Sequence, residues 1–348
     1  MMPAPQSPSW VSLRYLLDGM VTVNRDIVVA APTVDARAIE ENGLFLALSG
    51  AQSHGLVYAD QAIRGGVAAI VYEAGDGIDC LVQKVKSQHD ICLIELSNLS
   101  AHVSEIAARY YQRPSENMPV IGVTGTNGKT SVSHFVAQAL SVDGMTCGVI
   151  GTLGWGNPNN LIPTVNTTPD AASVQQQLAQ LLSEGSRVVA MEVSSHGLDQ
   201  GRVNAVEFQG AVFTNLSHDH LDYHQTMEAY GDAKLALFKT PSLEFAVLNQ
   251  DDAFSQDILN ALSADVSVLM FSRFKQQDEV ACLLISNERL TVNGLSFDVS
   301  FNGCSTHVQS ALLGKFNVDN LVASMAVLMA MGYAFKEAAV KIQTVTNV

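Results

Sequence analysis

The stretch Val120-Ile121-Gly122-Val123-Thr124-Gly125-Thr126-Asn127-Gly128-Lys129-Thr130-Ser131 constrains the chain more than any other. Val120 to Val123 is apolar and rich in β-branched residues, with Pro119 before it and a glycine turn after it, the pattern of a buried strand. Beyond Ser131 the spacing becomes helical, because Phe135, Val136, Ala139 and Leu140 recur at three and four residues. Strand, glycine loop and helix in that order bring unpaired backbone N–H groups and a helix N-terminus to one point. Both favour an anion, so the loop reads as a phosphate site. Lys129 would reach the β- and γ-phosphates of a nucleotide, and Thr130 or Ser131 would offer a hydroxyl to Mg²⁺. The common spacing G-x-x-x-x-G-K-[ST] is not met, since Gly122 lies one residue too far from Gly128 and Gly125 lies too near. A glycine-rich turn before an ordinary helix is the plainer alternative, and neighbouring residues must decide.

With 348 residues the chain is long enough for two or three domains. A hydrophobic content of 47% suits a well-buried globular protein, and a net charge of −15 argues against a nucleic-acid groove. Cys80, Cys92, Cys147, Cys282 and Cys304 are odd in number and scattered, without C-x-x-C, and read as reduced core residues. The N-terminal MMPAPQSPSW has no basic and apolar leader pattern, and no apolar run reaches about 18 residues. The expectation is a cytoplasmic, monomeric chain with neither nucleic acid nor membrane as partner.

Residues 27 to 111 alternate short apolar runs (Gly43 to Leu48, Val67 to Tyr72, Ile91 to Leu96) with helical segments (Val57 to Arg64, Leu99 to Tyr111), a small α/β unit. The polar, proline-bearing segment from Gln112 to Pro119 reads as a linker, so the expected domains are 1–114 and 115–348. From Val120 the alternation resumes with Thr146 to Ile150, Arg187 to Val193, Ala211 to Asn215 and Phe245 to Asn249, which suits a mostly parallel sheet covered on both faces. Leu290 to Phe297 alternates around Asn293-Gly294, a hairpin signal, so a small antiparallel sheet is expected to join the larger one.

Three further stretches carry chemistry. In Met191-Glu192-Val193-Ser194-Ser195-His196-Gly197-Leu198-Asp199-Gln200-Gly201-Arg202, Glu192 stands near the end of an apolar strand, where an unpaired carboxylate is costly to bury. Strand C-termini border the ligand crevice in open α/β sheets, so a metal is one partner for Glu192, and a nearby lysine is the other. Thr214-Asn215-Leu216-Ser217-His218-Asp219-His220-Leu221-Asp222-Tyr223-His224 crowds histidines and aspartates after another strand. No cysteine is near and the spacing is not H-E-x-x-H, so a hard cation with oxygen ligands and one imidazole fits better than zinc. Lys234, in Tyr230-Gly231-Asp232-Ala233-Lys234-Leu235-Ala236-Leu237-Phe238, reads by default as a snorkelling surface lysine. A lysine of lowered pKa could instead carry a carbamate and become an anion.

Together these stretches resemble the Mur ligase family, ATP-dependent amide-forming enzymes of peptidoglycan precursor synthesis. The resemblance rests on TGTNGKTS at 124–131, NTTPD at 166–170, MEVSSHGLDQGR at 191–202, TNLSHDHLDYH at 214–224, YGDAKLALF at 230–238 and LLGKFNVDN at 312–320. Among members, the chain looks most like the ligase that extends UDP-N-acetylmuramoyl-L-alanyl-D-glutamate with meso-diaminopimelate or L-lysine. The resemblance implies that Gly125, Thr126, Asn127, Gly128, Lys129, Thr130 and Ser131 bind ATP phosphates, with Asn317 and Asn320 near adenine. Thr130, Glu192, His220 and a carbamylated Lys234 would serve the Mg²⁺ site, and Lys129, Lys234 and His220 would carry the catalytic roles. Asn166, Thr167, Thr168, Ser194, Gln200 and Arg202 match contacts to the muramoyl peptide. In the first domain Val34, Ala36, Ala51, Gln52 and Ser53 match uridine contacts, although Ala36 replaces a serine common in relatives.

The implied chemistry is transfer of the ATP γ-phosphoryl group to the D-glutamyl side-chain carboxylate, followed by displacement of phosphate by an amine. Positioning and charge neutralisation by Lys129, Mg²⁺ and backbone N–H groups are the protein's part. Folylpolyglutamate synthetase is an alternative within the superfamily, opposed by Thr130 and the TTPD segment, and a nucleotide-binding module without ligation chemistry is another. The family's third, C-terminal domain, which selects the amino acid, would begin where this sequence stops, so the expectation is that the chain binds substrates without completing ligation.

Overall fold

The computed structural model describes residues 10–50, 53–142, 144–274 and 280–348, and its backbone contacts divide the chain into two compact units. The first runs to Pro114 and also takes in Pro169–Glu184 and Gln200–Val206. The second comprises Ser115–Thr168, Gly185–Asp199 and Glu207–Val348. The two later segments of the first unit differ from a single division at residue 114. The helix Ala171–Ser183 places Ala171, Ala172 and Ala179 in one core with Val103, Ile106, Ala107 and Tyr110, and small side chains at that spacing let two helices approach closely.

In the first unit, β1 (Val11–Ser12) and β2 (Val28–Val29) form a short antiparallel pair. Next comes a parallel sheet in the order β3 (Pro32–Thr33), β4 (Leu44–Ala47), β5 (Ala69–Glu73) and β6 (Cys92–Leu96). Both faces of β4 and β5 are buried, which explains why these runs are continuously apolar rather than alternating. The helical run read from Val57 begins as a 3₁₀ turn, Gly55–Tyr58, and continues as an α-helix, Ala59–Arg64.

The second unit holds an eleven-stranded sheet built from β7 (Val120–Thr124), β8 (Cys147–Gly151), β9 (Gly154–Asn157), β10 (Asn160–Ile162), β11 (Val188–Glu192), β12 (Phe208–Phe213), β13 (Phe245–Asn249), β14 (Ser267–Ser272), β15 (Cys282–Thr291), β16 (Gly294–Phe301) and β17 (Cys304–Ser310). Its order is β10-β9-β8-β11-β7-β12-β13-β14-β15-β16-β17. The strands from β8 to β15 in that order are parallel, and antiparallel hairpins flank them on both sides. The Asn293-Gly294 pair lies at the β15–β16 turn, as its hairpin chemistry requires; the β9–β10 hairpin, turning at Pro158-Asn159, is a second one beyond the single small antiparallel sheet that was expected.

The order places the site. From β7 the chain passes to β8, returns to β11 between them, and then crosses to β12 on the other side of β7. The crevice of a doubly wound sheet opens at such a reversal, beyond the strand C-termini. The helix Lys129–Ser141 covers this centre with Val132, Phe135, Val136, Ala139 and Leu140, each nearly or fully buried, and the four larger side chains are each worth about 1.5–3 kcal/mol. All five cysteines carry free thiols, but only Cys147 is a core residue; Cys80 and Cys304 are exposed, contrary to expectation. No helix among the described residues is long and apolar enough to cross a membrane.

Candidate functional site

The loop after β7 is held from three sides. Gly125 (φ 141°) and Gly128 (φ 88°) adopt backbone conformations that favour glycine. A Cβ on Gly125 would lie 2.0 Å from Thr214 Oγ1, and one on Gly128 would lie 2.5 Å from Asn320 Oδ1. From the end of β12, Thr214 Oγ1 donates to Asn127 O at 2.6 Å, Asn127 N–H donates to Asn215 Oδ1 at 3.0 Å, and Thr126 N–H donates to Asn215 O at 2.8 Å. Asn249, at the end of β13, donates from Nδ2 to Thr214 O at 2.7 Å. The residues after β12 thus fix the loop directly, and Asn249 at the end of β13 braces them. Lys129 Nζ folds back to donate to Gly125 O (2.8 Å) and Thr126 O (2.9 Å) rather than projecting outward. Burial pushes the Lys129 ammonium below its usual range, against the attraction of Glu192 and Asp219.

Glu192, the last residue of β11, is fully buried. Thr130 Oγ1 donates to Oε2 at 2.9 Å, Thr152 N–H donates to Oε1 at 2.8 Å and Thr152 Oγ1 donates to Oε2 at 3.1 Å. Burial pushes the carboxyl upward and these hydrogen bonds, with Lys129, pull it back without cancelling the shift. Among the described residues no salt bridge reaches Glu192, so of its two expected partners the lysine is not the one realised within 4 Å. Thr152 escaped the sequence reading. It follows Gly151 at the end of β8, and only the adjacency of β8 and β11 brings it to Glu192.

Lys234 lies in the helix Met227–Phe238 and is 1% exposed, which overturns the default reading of a snorkelling surface lysine. Its Nζ donates to Gly125 O at 3.1 Å and stands 4.3 Å from the centroid of the Tyr230 ring. Burial, then the Lys129 charge, lower its pKa to about 7, with Asp219 opposing. His220 is exposed, takes φ 53°, and packs its ring edge-on against His196 at 4.9 Å. His224 is buried and its Nε2 lies 2.9 Å from Ser195 Oγ. Among the described residues, no group of three or more His, Cys, Asp and Glu side chains is arranged to hold a metal ion. The oxygen-rich set around Glu192 and Thr130, with a buried carboxyl that no basic side chain meets within ion-pair distance, nevertheless fits a hard cation.

Beside the loop lies a cavity of about 700 Å³ lined by Asn127, Gly128, Ser131, Leu216, Phe316, Asn320 and others. Asn317 does not line it. Buried, it donates from Nδ2 to Leu313 O and accepts from Asn320 Nδ2 at 3.1 Å, so it orients Asn320 instead.

The remaining residues fall into separate places. Asn166 is exposed and Thr167 half-buried, with Thr167 Oγ1 3.0 Å from Thr152 Oγ1. Thr168 is fully buried; its hydroxyl donates to Glu192 O and accepts from Ser194 N–H, so it latches two segments together. Ser194 Oγ accepts from Gly197 N–H. Val34, Ala36, Ser53, Gln200 and Arg202 belong to the first unit. Ala36 is buried in an apolar cluster with Phe45 and Leu56, between Asp35 and Arg37, which pair with each other. Arg202 donates to Gln200 Oε1 at 2.6 Å. Ala51 and Gln52 lie outside the described residues.

The Mur ligase middle domain family matches residues 123–328. The chain belongs to the Mur ligase family. It is 43% identical over 311 residues to the UDP-N-acetylmuramoyl-L-alanyl-D-glutamate--2,6-diaminopimelate ligase of Ectopseudomonas mendocina (strain ymp), a match covering 89% of this chain and 62% of that one. The ligase of the same description from Coxiella burnetii (strain RSA 493 / Nine Mile phase I) is 39% identical over 338 residues, 97% of this chain and 68% of the relative. A solved structure titled with the same enzyme description superposes with a TM-score of 0.82 at 28% identity, covering 97% of this chain and 67% of that one. This Mur ligase chain therefore spans about three fifths to two thirds of the length of relatives that it matches.

Proposed function

We propose that the chain supplies the nucleotide-binding and muramoyl-peptide-binding parts of an ATP-dependent amide ligase acting on UDP-N-acetylmuramoyl-L-alanyl-D-glutamate. The observation that carries this reading is the convergence of Lys129, Lys234 and Thr130 on one glycine loop, with the buried Glu192 carboxylate accepting from Thr130. Loop N–H groups and Lys129 would bind the ATP phosphates, and Lys129 would neutralise the charge that develops as the γ-phosphoryl group leaves. Gly125 and Gly128 let the loop pass close against Thr214 and Asn320, where any Cβ would clash, and so hold its backbone in the tight turn that a phosphate-binding loop needs.

Thr130, Glu192, His220 and a carbamylated Lys234 would hold Mg²⁺. When bound, that ion supplies charge neutralisation between phosphate oxygens. Burial and Lys129 lower the Lys234 pKa to about 7, so a large share of the amine near pH 8 is neutral, the form that adds to CO₂. Thr152 fixes the Glu192 carboxylate, and Thr168 ties the NTTPD segment to β11, which leaves Asn166 and Thr167 to meet the peptide. Val34, Ser53, Gln200 and Arg202 would meet the uridine and muramoyl parts, with Ala36 supporting its turn from the core. The D-glutamyl side-chain carboxylate takes the phosphoryl group and becomes an acyl phosphate, which the amine of meso-diaminopimelate then attacks, releasing phosphate. That the relatives at 39–43% identity are described as 2,6-diaminopimelate ligases supports this choice of amine.

The test replaces the amino acid with hydroxylamine. ATP, Mg²⁺, the UDP-muramoyl dipeptide and the chain should yield a hydroxamate detectable by mass spectrometry. ATP hydrolysis that ignores the dipeptide, with no hydroxamate, would favour a nucleotide-binding module without ligation chemistry.

A further inference from the structure

The cavity beside the loop has a feature that phosphate binding does not use. Asp319 lines it, one helical turn from Phe316 and adjacent to Asn320, on the first turn of the helix Phe316–Ala330. Residues three apart share a helix face, so the exposed Phe316 ring and the Asp319 carboxylate lie on the same side. Asn320, next in the chain, already stands against Gly128. The helix therefore runs from the phosphate end of the cavity, at Asn320, to an aromatic face and a carboxylate.

A bare carboxylate in this place would repel a nucleotide. Arg273, just after β14, removes that repulsion: its Nη1 donates to Asp319 Oδ1, while its Nε donates to Glu288 Oε1 at 2.6 Å and its backbone N–H donates to Asp251 Oδ2 at 3.1 Å. Burial opposes the Arg273 charge, yet the hydrogen bonds to Asp319 and Glu288 outweigh it and hold the guanidinium above its ordinary range. Arg273 grips one oxygen of Asp319. The second, Oδ2, receives no hydrogen bond among the described residues, although the residue lines the cavity. The other carboxylate lining the cavity, Asp252, is spent on the protein, accepting from Leu216 N–H and Phe254 N–H.

We propose that Asp319, held by Arg273, is a specificity residue that accepts a hydrogen bond from a donor on the nucleoside, either the exocyclic amine of adenine or a ribose hydroxyl. The inference rests on the ATP reading above and adds the group that selects the nucleoside. An acceptor at this place favours a ligand edge that donates and disfavours one that presents a carbonyl, because two facing acceptors leave both unpaired.

Calorimetry of the 348-residue chain with Mg²⁺ and a series of diphosphates tests it. The series is ADP, purine riboside diphosphate (no 6-amino group), 2′-deoxy-ADP, 3′-deoxy-ADP, GDP and inorganic pyrophosphate. The expected result is that one of the three analogues lacking a donor binds about tenfold more weakly than ADP, the cost of one hydrogen bond to a charged group. Asp319→Asn should weaken ADP by about the same factor, leave that one analogue unchanged and leave pyrophosphate unchanged. The analogue that responds identifies the donor. Equal binding of ADP and all three analogues to the parent chain would overturn the proposal without any variant. So would an Asp319→Asn chain that binds ADP as the parent does, or one that loses pyrophosphate equally, which marks a structural role only. A parent chain that binds neither ADP nor pyrophosphate would instead sink the ATP reading itself.

Discussion

Lys234 Nζ donates a hydrogen bond to the carbonyl oxygen of Gly125 at 3.1 Å. A buried amine is thereby fixed against the first glycine of the loop, with the second lysine, Lys129, bound to the same oxygen at 2.8 Å. Two ammonium groups sharing one acceptor disfavour each other's charge, and this lowers the Lys234 pKa beyond what burial does.

This relationship sets the pH behaviour of Lys234. With its pKa at about 7, the amine is mostly neutral at pH 8 and mostly charged at pH 6. In ¹³C-bicarbonate, a carbamate carbonyl resonance is expected at pH 8, weaker at pH 6 and absent in Lys234→Arg. A spectrum identical for parent and Lys234→Arg would remove the carbamate from the account.

Lys129→Ala should weaken ADP binding by about tenfold or more, the loss of a charge-assisted hydrogen bond to phosphate. Part of the effect comes from the loop, since Lys129 also ties Gly125 and Thr126. Calorimetry reads this directly, and an affinity within twofold of the parent would take Lys129 out of the phosphate site.

Thr152→Val removes one hydroxyl donor to Glu192 and leaves the Thr152 N–H contact in place. The Mg²⁺ concentration that half-saturates its effect on ADP affinity should rise about tenfold, the usual cost of losing a residue that orients a ligand. Metal dependence equal to that of the parent would show that Glu192 is not a ligand or that Thr152 does not orient it.

The first unit offers a stability test. Glu73 is buried at the end of β5, accepting from Ser49 N–H, Ser100 N–H and Ser100 Oγ. Burial alone would raise its pKa, but these bonds outweigh it and the net shift is downward. A folded pKa below the unfolded value means that the unfolded chain binds the proton more readily. The stabilisation is therefore complete above the ordinary carboxylate range and is lost as pH falls through the folded pKa. Glu73→Gln should cost about 1–3 kcal/mol at pH 7, with the gap to the parent closing toward pH 3. Urea melts across that range check this, and a gap independent of pH would contradict it.

The parallel strands and the hairpin at Asn293-Gly294 were legible because apolar runs and turn residues report local preferences. The strand, glycine loop and helix from Val120 to Ser141 were legible for the same reason, since they follow one another in the chain. What could not be read depends on strand order. Thr152 reaches Glu192 only because β8 lies beside β11, and Asn215 reaches Asn127 only because β12 lies beside β7. Lys234 read as a surface residue because a lysine's long stem ordinarily carries its charge to water, and its burial follows from where its helix packs. The place of the helix Ala171–Ser183 in the first unit was hidden as well, for its alanines carry meaning only once Val103 and Tyr110 stand opposite.

The central claim is that the glycine loop binds the phosphates of ATP and that the same chain binds the muramoyl dipeptide. Calorimetric titration of the 348-residue chain with ADP and Mg²⁺, alone and with saturating UDP-N-acetylmuramoyl-L-alanyl-D-glutamate, tests it most directly. Saturable ADP binding that Lys129→Ala weakens about tenfold or more, together with binding of the dipeptide that this substitution leaves intact, is the expected result. Absence of ADP binding by the parent chain, or ADP binding indifferent to Lys129, would contradict it.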